Sequence, residues 1–246
     1  MNPAHALVLG LAASLVQANE VEQRPPFITT PPEVVERMLA MAATRPGDLV
    51  IDLGSGDGRI VLAAARQFGA RGLGIELDAA LVAKSRENAE IMKVKDQVTF
   101  VQGDVLVADI SQASVVTVYL LPALMGKLQS RFIRELAPGT RIVSHEFTMA
   151  GWVPDRSETV RLKARHRGQG DESRLHLWIV PADVRGVWRG AGLRLRIEQS
   201  YQRIEVEGAR AAALAGRDIS WDNFKGRVEG NRIVGELGGK PIVLTR

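Results

Sequence analysis

The sequence predicts an α/β fold: a doubly wound, mostly parallel sheet with helices on both faces, followed by a small C-terminal all-β appendage. Three observations carry the prediction. Apolar runs of strand length recur at Leu49–Leu53, Gly72–Ile75, Val98–Val101, Val115–Tyr119 and Arg141–Ser144, with helical stretches between most of them; that alternation belongs to a parallel sheet with right-handed crossovers. The first run leads straight into a turn with glycine at every second position, "GSGDG". Beyond Trp152 the helical period stops, and alternating, turn-punctuated segments take over.

A chain of 246 residues buries roughly 70–75% of its unfolded surface, enough for one substantial domain with an addition. It has no cysteine, which excludes disulfides, thiolate metal sites and cysteine nucleophiles. His5, His166 and His176 show no metal-ligand spacing, so no metal is expected, and there is no Gly-x-Ser-x-Gly elbow.

Residues 1–24 form a separate N-terminal segment. Its apolar run Ala6–Val16 is shorter than the roughly 20 residues a spanning helix needs. Val16-Gln17-Ala18 has the small residues of a signal-peptidase site, yet Met1–His5 lacks the basic residues of a signal. Two readings stay open: an export signal or membrane tether, and a plain leading helix. The expected location is the cytoplasm, with or without a tether that brings the chain near a membrane; a cleaved Ala6–Ala18 signal would place it outside, in the periplasm.

The main domain is expected over residues 25–181. "RPPFITTPP" (Arg24–Pro32) cannot be a regular helix, because its prolines remove donors and push their neighbours toward extended geometry. Val34, Val35, Met38, Leu39 and Met41 then fall near helical spacing. After the strand Leu49–Leu53 the glycine turn swings the backbone into a helix over Arg59–Phe68. A helix over Ala79–Met92 keeps Leu81, Ser85, Ala89 and Met92 on one side, and a further helix covers Pro122–Leu136. Arg174–Pro181 reads as a late strand of the same sheet, and residues 182–246 as the β-rich appendage. The net charge of +4 is uneven: residues 155–246 hold 18 Lys/Arg against 12 Asp/Glu, while residues 1–154 hold 14 against 16. The basic excess therefore lies toward the C-terminus, scattered as on a solvated face.

The turn does not have the Gly-x-Gly-x-x-Gly spacing of a dinucleotide fingerprint, and no Gly-Lys-Ser/Thr follows to make a P-loop. "DLGSGDG" (Asp52–Gly58) instead resembles motif I of the class I S-adenosylmethionine-dependent methyltransferases, whose sheet is Rossmann-like. The resemblance implies S-adenosyl-L-methionine as cofactor, held around Asp52, Gly54, Ser55, Gly56, Asp57 and Gly58. Backbone N–H groups at the helix start would suit the cofactor's carboxylate, and Asp52 with nearby carbonyls its ammonium. Asp57 is expected at the helix N-cap, with direct cofactor contact as the alternative. Glu76, ending the second strand, is placed to accept both hydrogen bonds of a ribose diol. Asp104, ending the third, is implied to meet the adenine amino group.

"PFITTPPEVVERML", "GIELDAALVAKSRENA" and "ELAPGTRIVSHEF" extend the resemblance to the lysine methyltransferases of the mitochondrial ATP synthase c-subunit and adenine nucleotide translocase and to their bacterial relatives, over roughly residues 25–155. A protein substrate with an acceptor lysine is what that family implies. Its P-x-P-T-P-like segment, which helps close the cofactor pocket, stands here as Pro26-Phe27-Ile28-Thr29-Thr30-Pro31, with Thr29 where a proline is usual and Thr30 offering a hydroxyl.

Base methyltransferases carry an Asn/Asp-Pro-Pro-aromatic tetrad after the fourth strand; "VTVYLLP" (Val116–Pro122) stands there instead, so no nucleic-acid partner is expected. Tyr119 is the candidate wall of a narrow channel for an aliphatic amine. A lysine must lose a proton before attack, at a cost of about 4.6 kcal/mol from pH 7 for an ordinary pKa near 10.4. Desolvation lowers that cost, and Glu146 or His145 is expected to receive the proton directly or through water. The expected function is an S-adenosylmethionine-dependent methyltransferase that N-methylates protein lysines. One alternative is a small-molecule or lipid acceptor, suggested by the hydrophobic "YLLPALM"; the other is a non-catalytic interaction protein docking through its appendage.

Overall fold

The computed structural model describes residues 28–166 and 170–246. The expectations for residues 1–24, and for Pro26 and Phe27, lie outside the described residues. Five strands pair in parallel: β1 (Leu49–Leu53), β2 (Arg71–Glu76), β3 (Val98–Gln102), β4 (Val115–Val118) and β5 (Arg141–His145). Helix α1 (Pro32–Met41) precedes them, while α2 (Arg59–Phe68), α3 (Ala79–Ile91) and α4 (Pro122–Glu135) make three of the four crossovers. Two antiparallel strands, β6 (Arg156–His166) and β7 (Gly170–Ile179), complete the order β3-β2-β1-β4-β5-β7-β6. Strand order reverses between β1 and β4, which opens a crevice at the carboxyl ends of those strands.

Strand alternation sorts the core into layers. Val50, Val115, Val143 and Leu175 face α1 and α2, and Val98 and Phe100 continue that side under α2 and α3. Ile51, Leu53, Val116, Val118 and Trp178 point the other way, against Met125, Leu128 and Phe132 of α4 and the turn at Met149–Trp152. Helix α3 starts where the Asp78 carboxylate accepts from the amides of Ala80 and Leu81. Helix α2 ends on Gly69 in the left-handed conformation.

β6 was not among the expected strands. "RSETVRLKARH" has no apolar run, because β6 is the edge of the sheet: it pairs only with β7 and buries Leu162.

Residues from Gly186 onward build a second, antiparallel sheet of eight strands, β8 (Gly186–Gly190), β9 (Leu193–Ser200), β10 (Arg203–Val206), β11 (Ala212–Ala215), β12 (Asp218–Trp221), β13 (Phe224–Glu229), β14 (Arg232–Leu237) and β15 (Lys240–Thr245). Its order is β10-β9-β8-β15-β14-β13-β12-β11, and edge strands β10 and β11 approach each other, so it curls like a barrel around Trp188, Ile197, Phe224, Ile233 and Leu244. It docks on the first sheet through Tyr201, which stacks on Trp152 at 5.2 Å and 6° and receives a 2.7 Å hydrogen bond from Gln129, and through Gln202 and Arg217, which donate to the carbonyls of Val153 and Pro138. Among the described residues no helix is long and apolar enough to cross a membrane, and no acid and histidine cluster is arranged to hold a metal.

Candidate active site

The period of two along a strand decides which side chains reach the crevice. Asp52 shares a face of β1 with Val50, Thr117 and then Tyr119 share one with Val115, and His145 shares one with Val143. All lie on the side covered by α1, at the carboxyl ends of the strands. The approach to α1 closes over them: Thr30 is buried, and its hydroxyl lies 3.1 Å from Nδ1 of His145.

The turn between β1 and α2 is left-handed at Gly54, Gly56 and Gly58, with φ of 80°, 54° and 81°. At Gly58 no side chain fits, since a Cβ would sit 2.7 Å from the Phe100 ring. The amides of Gly54 and Ser55 both donate to the carbonyl of Ile75, Gly56 to Glu76 Oε2 and Gly58 to the Ser55 carbonyl. Those four donors are therefore committed within the protein. Ser85 and Asn88 of α3 hold the turn from beneath, donating to the carbonyls of Gly56 (2.9 Å) and Asp57 (3.0 Å). The Ser55 hydroxyl is buried against Gly74 and finds no hydrogen-bond partner among the described residues, so Ser55 serves the turn through its backbone.

Three carboxylates converge on this turn. Asp52 is 3% exposed and accepts from Thr117 Oγ1 at 2.7 Å. Burial pushes its carboxyl up to about 7; the Thr117 bond opposes this, and the charges of Glu76 and Asp57 add to it. Glu76 is fixed by backbone amides, Oε2 by Gly56 at 2.9 Å and Oε1 by Asp78 at 3.0 Å. A carboxylate has about four lone-pair sites, so each oxygen keeps one for a ribose hydroxyl.

Asp57 is not the N-cap of α2, because Gly58 occupies that position and the Asp57 carboxylate is forked by Arg59 at 2.8 and 2.6 Å. Burial raises Asp57, but the Arg59 hydrogen bond and charge outweigh it and hold the carboxyl below the usual range. Asp104 lies two residues past β3, is exposed, and uses Oδ1 to hold the amide of Leu106 at 2.8 Å.

On the other side of the crevice, the Tyr119 ring lies 4.2 Å from His145 and 6.3 Å from Phe147, nearly parallel to the latter. His145 is fully buried, with Nδ1 engaged by Thr30, so it orients the wall; a direct proton acceptor would need access that this ring lacks. Glu146 is engaged by β7. Its backbone has φ of 70°, and its carboxylate is taken by Arg174, through the amide at 2.7 Å and Nε at 3.1 Å.

Sequence reasoning missed Arg59, Ser85, Asn88 and Phe147. Ser85 carried a signal, a polar residue on the inner side of an otherwise apolar helix face.

The donor set suits a ligand that brings positive charge to Asp52 and a diol to Glu76, as S-adenosylmethionine does. Residues 52–156 match the ANTKMT methyltransferase domain family. A protein-lysine N-methyltransferase of Saccharolobus islandicus is 41% identical over 130 residues, 52% of this chain and 81% of that protein. The human lysine N-methyltransferase of the ATP synthase c-subunit is 36% identical over 130 residues, 53% of this chain; the match spans only about half of the relative, 55%. Among solved structures, an RNA methyltransferase from Salinibacter ruber in complex with S-adenosyl-L-homocysteine superposes with a TM-score of 0.58 at 48% identity, over 64% of this chain and 96% of that one.

Proposed function

The chain belongs to the ANTKMT-type family of S-adenosylmethionine-dependent methyltransferases, and from that premise we propose that it N-methylates lysine side chains of a protein. The observation that carries the reading is the pairing of two half-sites across the β1–β4 switch: the acidic, glycine-lined turn and the aromatic wall of Tyr119, His145 and Phe147. Identity to an archaeal protein named for lysine supports the choice of acceptor.

Bound S-adenosylmethionine supplies an electrophilic methyl group on a sulfonium centre. Glu76, pre-set by two amides, offers its remaining lone pairs to the ribose, and Asp104 offers Oδ2 toward the adenine. Asp52 would hold the ammonium. Because Ser85, Asn88 and the Ile75 carbonyl already fix the turn, little reorganisation accompanies binding. Tyr119 presents an electron-rich face to the cationic acceptor, while buried His145 and partly buried Phe147 keep the channel apolar and lower the cost of a neutral amine. With Glu146 held by Arg174, these residues contribute alignment and desolvation, and we assign the departing proton to solvent.

Incubation with methyl-labelled S-adenosylmethionine and a protein extract should yield labelled methyl-lysine after acid hydrolysis, and Glu76→Ala should abolish it. Label found only in RNA, the acceptor named for the Salinibacter neighbour, or only in organic-soluble material would overturn lysine as the acceptor.

A further inference from the structure

Arg59 opens α2, where the positive end of the helix disfavours a cation, and the first turn of α2 holds no acid to offset it. Three contacts account for it instead. Nε and Nη2 fork onto Asp57 in the glycine turn, and Nη1 donates to the carbonyl of Thr30 at 2.9 Å. Thr30 passes the connection on, its hydroxyl meeting His145, whose ring lies against Tyr119. One continuous set of contacts therefore joins the cofactor turn to the acceptor wall, and Arg59 is the member that spans the gap between the turn and the segment Ile28–Pro31.

We propose that Arg59 is a positioning residue that latches Ile28–Pro31 onto the glycine turn, so that filling the turn with cofactor and closing the acceptor wall are coupled. The proposal rests on the methyltransferase reading of the site. Lysine cannot replace this arginine, because an ammonium satisfies the carboxylate or the carbonyl as a point charge but does not provide a planar fork with a third donor.

S-adenosylhomocysteine is the probe, followed by calorimetry and amide hydrogen exchange. In the wild-type chain it should slow exchange both at Ser55–Gly58 and at Thr29–Thr30. Arg59→Lys should bind it about tenfold more weakly, the loss expected for roughly one charge-assisted hydrogen bond. At saturating ligand this variant should keep protection of the turn and lose that of Thr29 and Thr30. Asp57→Asn weakens the same fork without touching the N-terminal segment and should show the same split, which covers the case of a misfolded Arg59→Lys. Protection of Thr29–Thr30 that persists in the folded variants would overturn the latch, and so would equal loss at both segments. If the wild-type chain binds no S-adenosylhomocysteine, the cofactor reading itself fails, and the latch with it.

Discussion

Asp52 is an acid placed where ionising is difficult. Its carboxyl stands at about 7, lifted by burial, while the ordinary value is 3.8. A cofactor ammonium arriving beside it favours the ionised form, so affinity for S-adenosylhomocysteine should strengthen as pH rises through about 7. Calorimetric titrations across that range should show the dependence, and Asp52→Asn should flatten it. Stability runs the other way. The folded-state value lies above the unfolded one, so the folded chain prefers the protonated acid; that contribution is complete below the unfolded value and is lost as pH rises through about 7. Without ligand, Asp52→Asn should therefore melt above the wild-type chain at high pH, and the gap should narrow toward acid. Asp52 and Glu76 were legible in the sequence because an acid at a strand end needs only the strand to be recognised. The fate of Glu146 was not legible: Arg174, which claims it, lies 28 residues away on a strand of opposite direction.

The turn between β1 and α2 is the element on which the cofactor half-site depends, and its tightest position is Gly58. Alanine there would strain a left-handed backbone and press on Phe100, at a cost of about 1–3 kcal/mol. Denaturant melts of Gly58→Ala should show that loss together with weakened cofactor binding. The central strands β1, β4 and β5 could be read from sequence for a common reason: they are covered on both faces and so appear as nearly unbroken apolar runs. β6 escaped because an edge strand exposes most of its side chains and keeps only part of that pattern. The second sheet was legible as all-β but not in its strand order, since alternation records which face is buried and not which neighbour lies beside it. Asn88 went unread because its partner is a backbone carbonyl, and so did the Arg59 contact that reaches Thr30; carbonyls carry no sequence signature.

For the molecule as a whole, the two sheets meet at Tyr201, with its ring on Trp152 and its hydroxyl held by Gln129, and again where Gln202 donates to the Val153 carbonyl and Arg217 to the Pro138 carbonyl. Tyr201→Ala removes an aromatic pair worth about 0.5–1.5 kcal/mol beyond its buried area. Scanning calorimetry should then resolve two transitions where the wild-type chain shows one; a single unshifted transition would mean that the Gln202–Val153 and Arg217–Pro138 contacts suffice to hold the sheets together.

The order of the second sheet places β15, the last strand, between β8 and β14 rather than at an edge. Two local meanders, β8 to β10 and β11 to β15, can each zip along neighbouring sequence, but uniting them brings Thr245 to Arg189 across 56 residues. Loop-closure entropy makes that the slow step in assembling the barrel. Until it happens, β8 and β15 each present a bare edge, and the chain is most open to pairing with a neighbour during that interval.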